Sequence, residues 1–142
     1  MVYVFRLLFL GIGFGFVGFL IETVSNYVNR RRFVYAGDKY FWGIPVLPIY
    51  SVGGLITHSM LIISSLFPWF MAIGLAWLSV CFWEYFAGWY CDRVMKKKFW
   101  DYSKEKYNLK GYVSLKSAGW WLVFISIYYF FLFQEVQNVM KG

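Results

Sequence analysis

Long apolar runs separated by short basic stretches dominate this chain. Four runs approach the roughly 20 residues needed to cross hydrocarbon: about 2–24, 46–66, 69–91 and 118–139. Pro48 and the Gly53-Gly54 pair interrupt the second run, and Pro68-Trp69 leaves only a tight connection to the third. The second and third runs are therefore predicted to form an antiparallel helical hairpin. The expected fold class is all-α: a single polytopic membrane domain over residues 1–142, a compact bundle of four transmembrane helices with a Pro-containing elbow before the second. A re-entrant second segment would break this scheme. No internal repeat, low-complexity tract or soluble domain is visible.

Composition strengthens the membrane reading. Hydrophobic residues make up 61% and charged residues 15%, more apolar surface than a soluble core of this size could bury. The formal charge of +7 would suggest nucleic acid if the cations covered a polar surface. Instead, twelve of the fourteen Lys and Arg fall in the segments 25–45 and 92–117, leaving Arg6 and Lys141 on the other side. That asymmetry predicts a cell-membrane protein with both basic loops cytosolic, both termini outside and no nucleic-acid partner. The first apolar run is too long, and lacks the small-residue site, to read as a cleavable signal peptide. Cys81 and Cys91 lie ten residues apart on one predicted helix, about 15 Å, which excludes a mutual disulfide. With one histidine in the chain, neither a metal nor another cofactor is expected.

Ionisable groups inside the apolar runs are the candidate chemistry, because a charge in hydrocarbon costs roughly 2.5 kcal/mol or more. Glu84, Gly88 and Asp92 repeat every four residues and share a helical face. Glu84 lies roughly 10 Å inside the cytosolic end at helical rise, so it should face a partner helix or a hydrated cavity. In the first helix Gly11, Gly15, Gly18 and Glu22 share a face, and such small residues let another helix approach closely. Packing of the first helix on the third would bring Glu22 and Glu84 together as an acid–base pair or a proton or cation site. The competing reading is a glycine packing seam with Glu22 at headgroup water, and a hydrogen-bonded Glu84 that only locks packing.

Two further segments surround these carboxylates. In Phe41 to Tyr50, Pro45 and Pro48 interrupt helical hydrogen bonding. This stretch is either an interfacial elbow anchored by Trp42 and Tyr50 or irregular backbone lining a cavity. The loop from Lys96 to Lys116 interleaves lysines with aromatics. Attraction to anionic lipid explains the lysines. Trp100-Asp101-Tyr102-Ser103 reads as an ordered turn with Asp101 free to cap or coordinate. His58, alone in the second run, reads as a hydrogen-bonded packing residue.

Together these motifs resemble the ABC-transporter type IV, or CmpB-like, family of small bacterial membrane proteins. The likeness rests on Glu22, the Arg30 to Arg32 run, Pro48-Ile49-Tyr50 and Glu84-Tyr85 with Gly88. It continues through Trp100-Asp101-Tyr102-Ser103, Asn108 with Gly111, and Ser117. Three positions depart from the family pattern: Ser51 stands where Gly is usual after Tyr, Asp92 replaces Glu, and Trp121 replaces Gly. The resemblance implies a transporter component. The candidate substrate contacts are Arg31, Pro48, Tyr50, Tyr85, Asp92, Trp100, Asp101, Tyr102 and Asn108, around Glu22 and Glu84. The chain has no Gly-x-x-x-x-Gly-Lys-Ser/Thr phosphate loop, so the nucleotide chemistry of transport would need a partner ATPase. Four short helices are also few for an autonomous permease, which points to a homo-oligomer or a partner. The alternatives are a membrane enzyme acting on a lipid or other amphiphile, and a structural assembly protein.

Overall fold

The structure, a computed structural model, describes residues 2–30 and 45–142. It is mostly helical. Helix α1 (Val2–Arg30) is followed by α2 (Pro48–Ile63), α3 (Trp69–Arg93) and a two-stranded antiparallel hairpin, β1 (Asn108–Leu109) and β2 (Val113–Ser114). The last helical stretch begins as α4 (Leu115–Ile127), widens into a π-helical turn at Tyr128–Leu132, and ends as α5 (Phe133–Lys141). Three stretches are long and apolar enough to cross a membrane: Val2–Val28, Trp69–Arg93 and Leu115–Lys141. Helix α2 is apolar but shorter, at 16 residues.

The chain divides into two compact units, residues 1–55 and 56–142. In the first, Gly11, Gly15 and Gly18 of α1 are buried, and the backbone approaches so closely that the Gly15 carbonyl accepts the Leu47 N–H at 3.1 Å. A Cβ at Gly15 would collide with the Ser51 hydroxyl, and one at Gly18 with the Tyr50 ring. Phe19 and Leu47 close the seam. Pro48 opens α2, where a missing N–H costs nothing.

In the second unit α3 buries a single stripe, Ala72, Ile73, Ala76, Val80, Glu84 and Gly88. The small residues at 72, 76 and 88 let other elements come close. Helix α4 packs along this stripe, fastened where the Trp77 indole donates to the Ala118 carbonyl at 2.7 Å. Helix α3 ends in a turn that takes Lys96 to a left-handed φ of 55°, where glycine is the usual choice. Met95 and Lys97 N–H groups bond the carbonyls of Tyr90 and Cys91. Beyond it, the segment that hydropathy marks only as a basic loop folds into the hairpin.

Candidate functional site

The hairpin is built by local side-chain-to-backbone bonds. Asn108 donates to the Glu105 carbonyl and accepts the Gly111 N–H, both at 2.8 Å. The reversal at Lys110 and Gly111 uses left-handed φ values of 53° and 76°. Gly111 has a second constraint, because a Cβ there would stand 2.7 Å from Asp101 Oδ1. The Gly111 carbonyl accepts the Tyr102 N–H at 2.9 Å, which ties the turn at 100–103 to the hairpin tip. Strand β2 leads into α4 through a reciprocal cap: Ser114 and Ser117 exchange backbone and hydroxyl bonds at 3.0 Å.

This assembly lies across the C-terminal part of the α3 stripe expected from the spacing of Glu84, Gly88 and Asp92. Glu84 is 4% exposed. Its Oε1 accepts the Tyr102 hydroxyl at 3.2 Å and its Oε2 the Ser117 hydroxyl at 3.1 Å. The Trp121 side chain is a further hydrogen-bond partner. One turn along, Tyr112 crosses Gly88 so closely that an added Cβ would meet the Tyr112 Cβ at 3.0 Å and Trp100 at 3.3 Å. At the end of the stripe Asp92 Oδ2 accepts the Tyr112 hydroxyl at 2.7 Å. The Trp100 indole donates to the Tyr112 carbonyl at 2.9 Å, and Tyr85 meets the Tyr112 ring edge-on at 5.5 Å.

Asp101 stands on the rim, exposed, capping its own turn: its Oδ1 accepts the Ser103 N–H at 2.9 Å and its Oδ2 pairs with Lys98 at 3.1 Å. The Ser103 backbone bond, then the Ser103 side chain and Lys98, hold its carboxyl below the usual carboxylate range. The turn at 100–103 therefore spends Asp101 on its own backbone and on Lys98. Lys116 similarly answers Glu105 at 3.6 Å.

Of the residues proposed from sequence, the structure gathers Glu84, Tyr85, Asp92, Trp100, Tyr102 and Asn108 around one face of α3, with Asp101 at its edge. Glu22, half-buried on α1, and Pro48 and Tyr50 belong to the first unit. Tyr50 covers Gly18 there. Arg31 and Trp42 lie outside the described residues. Sequence reasoning gave no role to Tyr112, Ser114 or Trp121. It noted Ser117 only as part of the family pattern. The Ser114-x-x-Ser117 spacing was the available signal for the cap that presents a hydroxyl to Glu84. Tyr112 carried no signal beyond its place after Gly111.

The model of the family described as "Putative ABC-transporter type IV" matches residues 8–142. The chain belongs to this family. No curated protein and no solved structure matches it. Family and apolar helices together fit a membrane protein related to transport.

Proposed function

We propose that the chain is a permease-like or transport-accessory subunit in which Glu84 forms a polar site opening to the cytosol. In this reading α2 is a fourth membrane segment, the bundle has four helices, and the residues before α2 form the Pro-containing elbow. Both termini are outside and the basic segments face the cytosol, an orientation supported by the Lys and Arg asymmetry. The observation that carries the reading is the state of Glu84. It is a buried carboxyl on an apolar helix, held by the hydroxyls of Tyr102 and Ser117 and by the Trp121 side chain, with no ion pair among the described residues.

Hydroxyls suit an exchanging site. Each can turn from donor to acceptor as the carboxyl gains a proton, whereas a Lys or Arg would pin it in one charge state. Tyr102 belongs to the hairpin layer that covers Glu84, so a shift of that layer would open the site to the cytosol. Glu22 is the second acid–base group, and Arg31, Pro48 and Tyr50 serve a substrate path. Lysines of the hairpin segment meet anionic headgroups, and a partner ATPase or further copies of the chain complete the transporter.

The full chain in phosphatidylglycerol-containing vesicles, with a pH-sensitive dye inside, is expected to pass protons or monovalent cations down an imposed gradient. Glu84→Gln should lower the rate about tenfold, ~1.4 kcal/mol, and Tyr102→Phe by less. Equal rates for the wild-type protein and a folded Glu84→Gln variant would overturn the reading.

A further inference from the structure

A second polar point lies in the 56–142 unit, built on different elements from the Glu84 face. His58 is the single histidine of the chain and is 1% exposed. From α2 it sets Nδ1 2.7 Å from the Tyr128 hydroxyl. Its other ring nitrogen, Nε2, is buried without a hydrogen-bond partner among the described residues. The Phe133 ring lies edge-on at 5.7 Å and the Tyr128 ring at 6.2 Å.

These contacts depend on the π-helical turn. Residues five apart on an α-helix stand about 140° around the axis from one another and share no face. In the π turn the Phe133 N–H bonds the Tyr128 carbonyl, and this wider ring of backbone brings residues i and i+5 into line. Tyr128 and Phe133 thus come to 6.1 Å of each other and both reach the same imidazole. The chain accepts two unfavourable features at one place: a wide turn and a buried ring nitrogen with no hydrogen-bond partner among the described residues. Packing alone needs neither, because an apolar side chain on a regular helix would fill the space. Both features make sense if the nitrogen is used.

We propose that His58 and Tyr128 form a proton-exchanging site reached by water, independent of the role given to Glu84. With Nδ1–H donating to the Tyr128 oxygen, the lone pair on Nε2 accepts a proton from hydronium, giving imidazolium and water. Return of that proton to water restores the neutral ring. In the other neutral tautomer Nε2 carries the hydrogen and the Tyr128 hydroxyl donates to Nδ1, so the pair accommodates either form by turning one O–H. Tyr128 is the titratable group bonded to the ring, and Phe133 adds no charge.

A single histidine makes the test unambiguous. The full chain is labelled with ¹⁵N at histidine, placed in phosphatidylcholine–phosphatidylglycerol vesicles and moved into deuterated buffer. The expected result is Nε2 exchange on the order of minutes, with ring signals that change as the pH is lowered. Tyr128→Phe should displace the Nδ1 signal and leave Nε2 exchanging. One neutral tautomer at every pH at which the chain stays folded, its Nε2 hydrogen unexchanged after about a day, would overturn the proposal and leave His58 a packing residue. Should Tyr128→Phe fail to fold, the wild-type measurement decides alone.

Discussion

The α1 seam of the first unit and the hairpin face of the second solve the same problem by opposite means. Each must close an apolar helix against another element. The seam does so by deleting side chains: Gly15 and Gly18 admit Val46, Ser51 and Tyr50 against the backbone of α1. The hairpin face does so by aiming donors, Tyr102, Tyr112 and Ser117, at carboxylates of α3. Close packing is sensitive to volume and indifferent to charge. Hydrogen bonds to carboxylates are sensitive to chemistry at constant volume. The two regions should therefore fail under different substitutions.

The largest expected effect lies in the seam. Gly18→Leu drives a side chain into the Tyr50 ring and should destabilise the protein by about 3 kcal/mol, read from unfolding in detergent. Gly13 has open space around it, so Gly13→Leu should change stability by less than ~0.5 kcal/mol. Equal damage from both would mean that the seam is not set by volume.

A middle-sized effect tests the other side of the contrast. Tyr112→Phe keeps the ring over Gly88 and removes one hydroxyl, so it should cost about 1–1.5 kcal/mol. Combined with Asp92→Asn, the loss should be smaller than the sum of the single losses, because the two side chains share one bond. Strict additivity would dissolve the polar half of the comparison.

The smallest effect is at the rim. The carboxyl of Asp101 is held low mainly by the Ser103 N–H. Its folded value is below its unfolded one, so its contribution is present above about pH 4 and fades as pH falls through the folded value. Once the intrinsic pH dependence of exchange is allowed for, acidification should lower the protection of the Ser103 amide, with Asp101→Asn abolishing that change. An amide equally protected on both sides of that range would remove Asp101 from the account of the turn.

Much of this architecture was legible in the chain, and what was hidden had physical reasons. Helical period alone puts Glu84, Gly88 and Asp92 on one face, and hydropathy marks the long apolar helices. The ordered turn at 100–103 announces itself through Asp101 and Ser103. The hairpin does not, because two-residue strands show no alternation and Lys110-Gly111 replaces the Asn-Gly that usually signals such a reversal. Tyr112 was invisible for a different reason. Its partners, Gly88 and Asp92, are distant in the chain, so nothing local marks it. The π turn leaves no trace in hydropathy, since widening a helix by one residue changes its register and not its composition.

The bonds that fasten the hairpin face also have a bearing on biosynthesis. They join Glu84 and Asp92 to partners 18, 20 and 33 residues downstream, and the farthest of these is Ser117, at the head of α4. Tyr102, Ser117 and Trp121, the side chains that bond the Glu84 carboxyl, have thus been synthesised before most of the final helix exists. Such short sequence separations favour early closure. The nascent chain can shield its most costly side chain from lipid while its last segment is still emerging, and that segment then meets a surface already assembled.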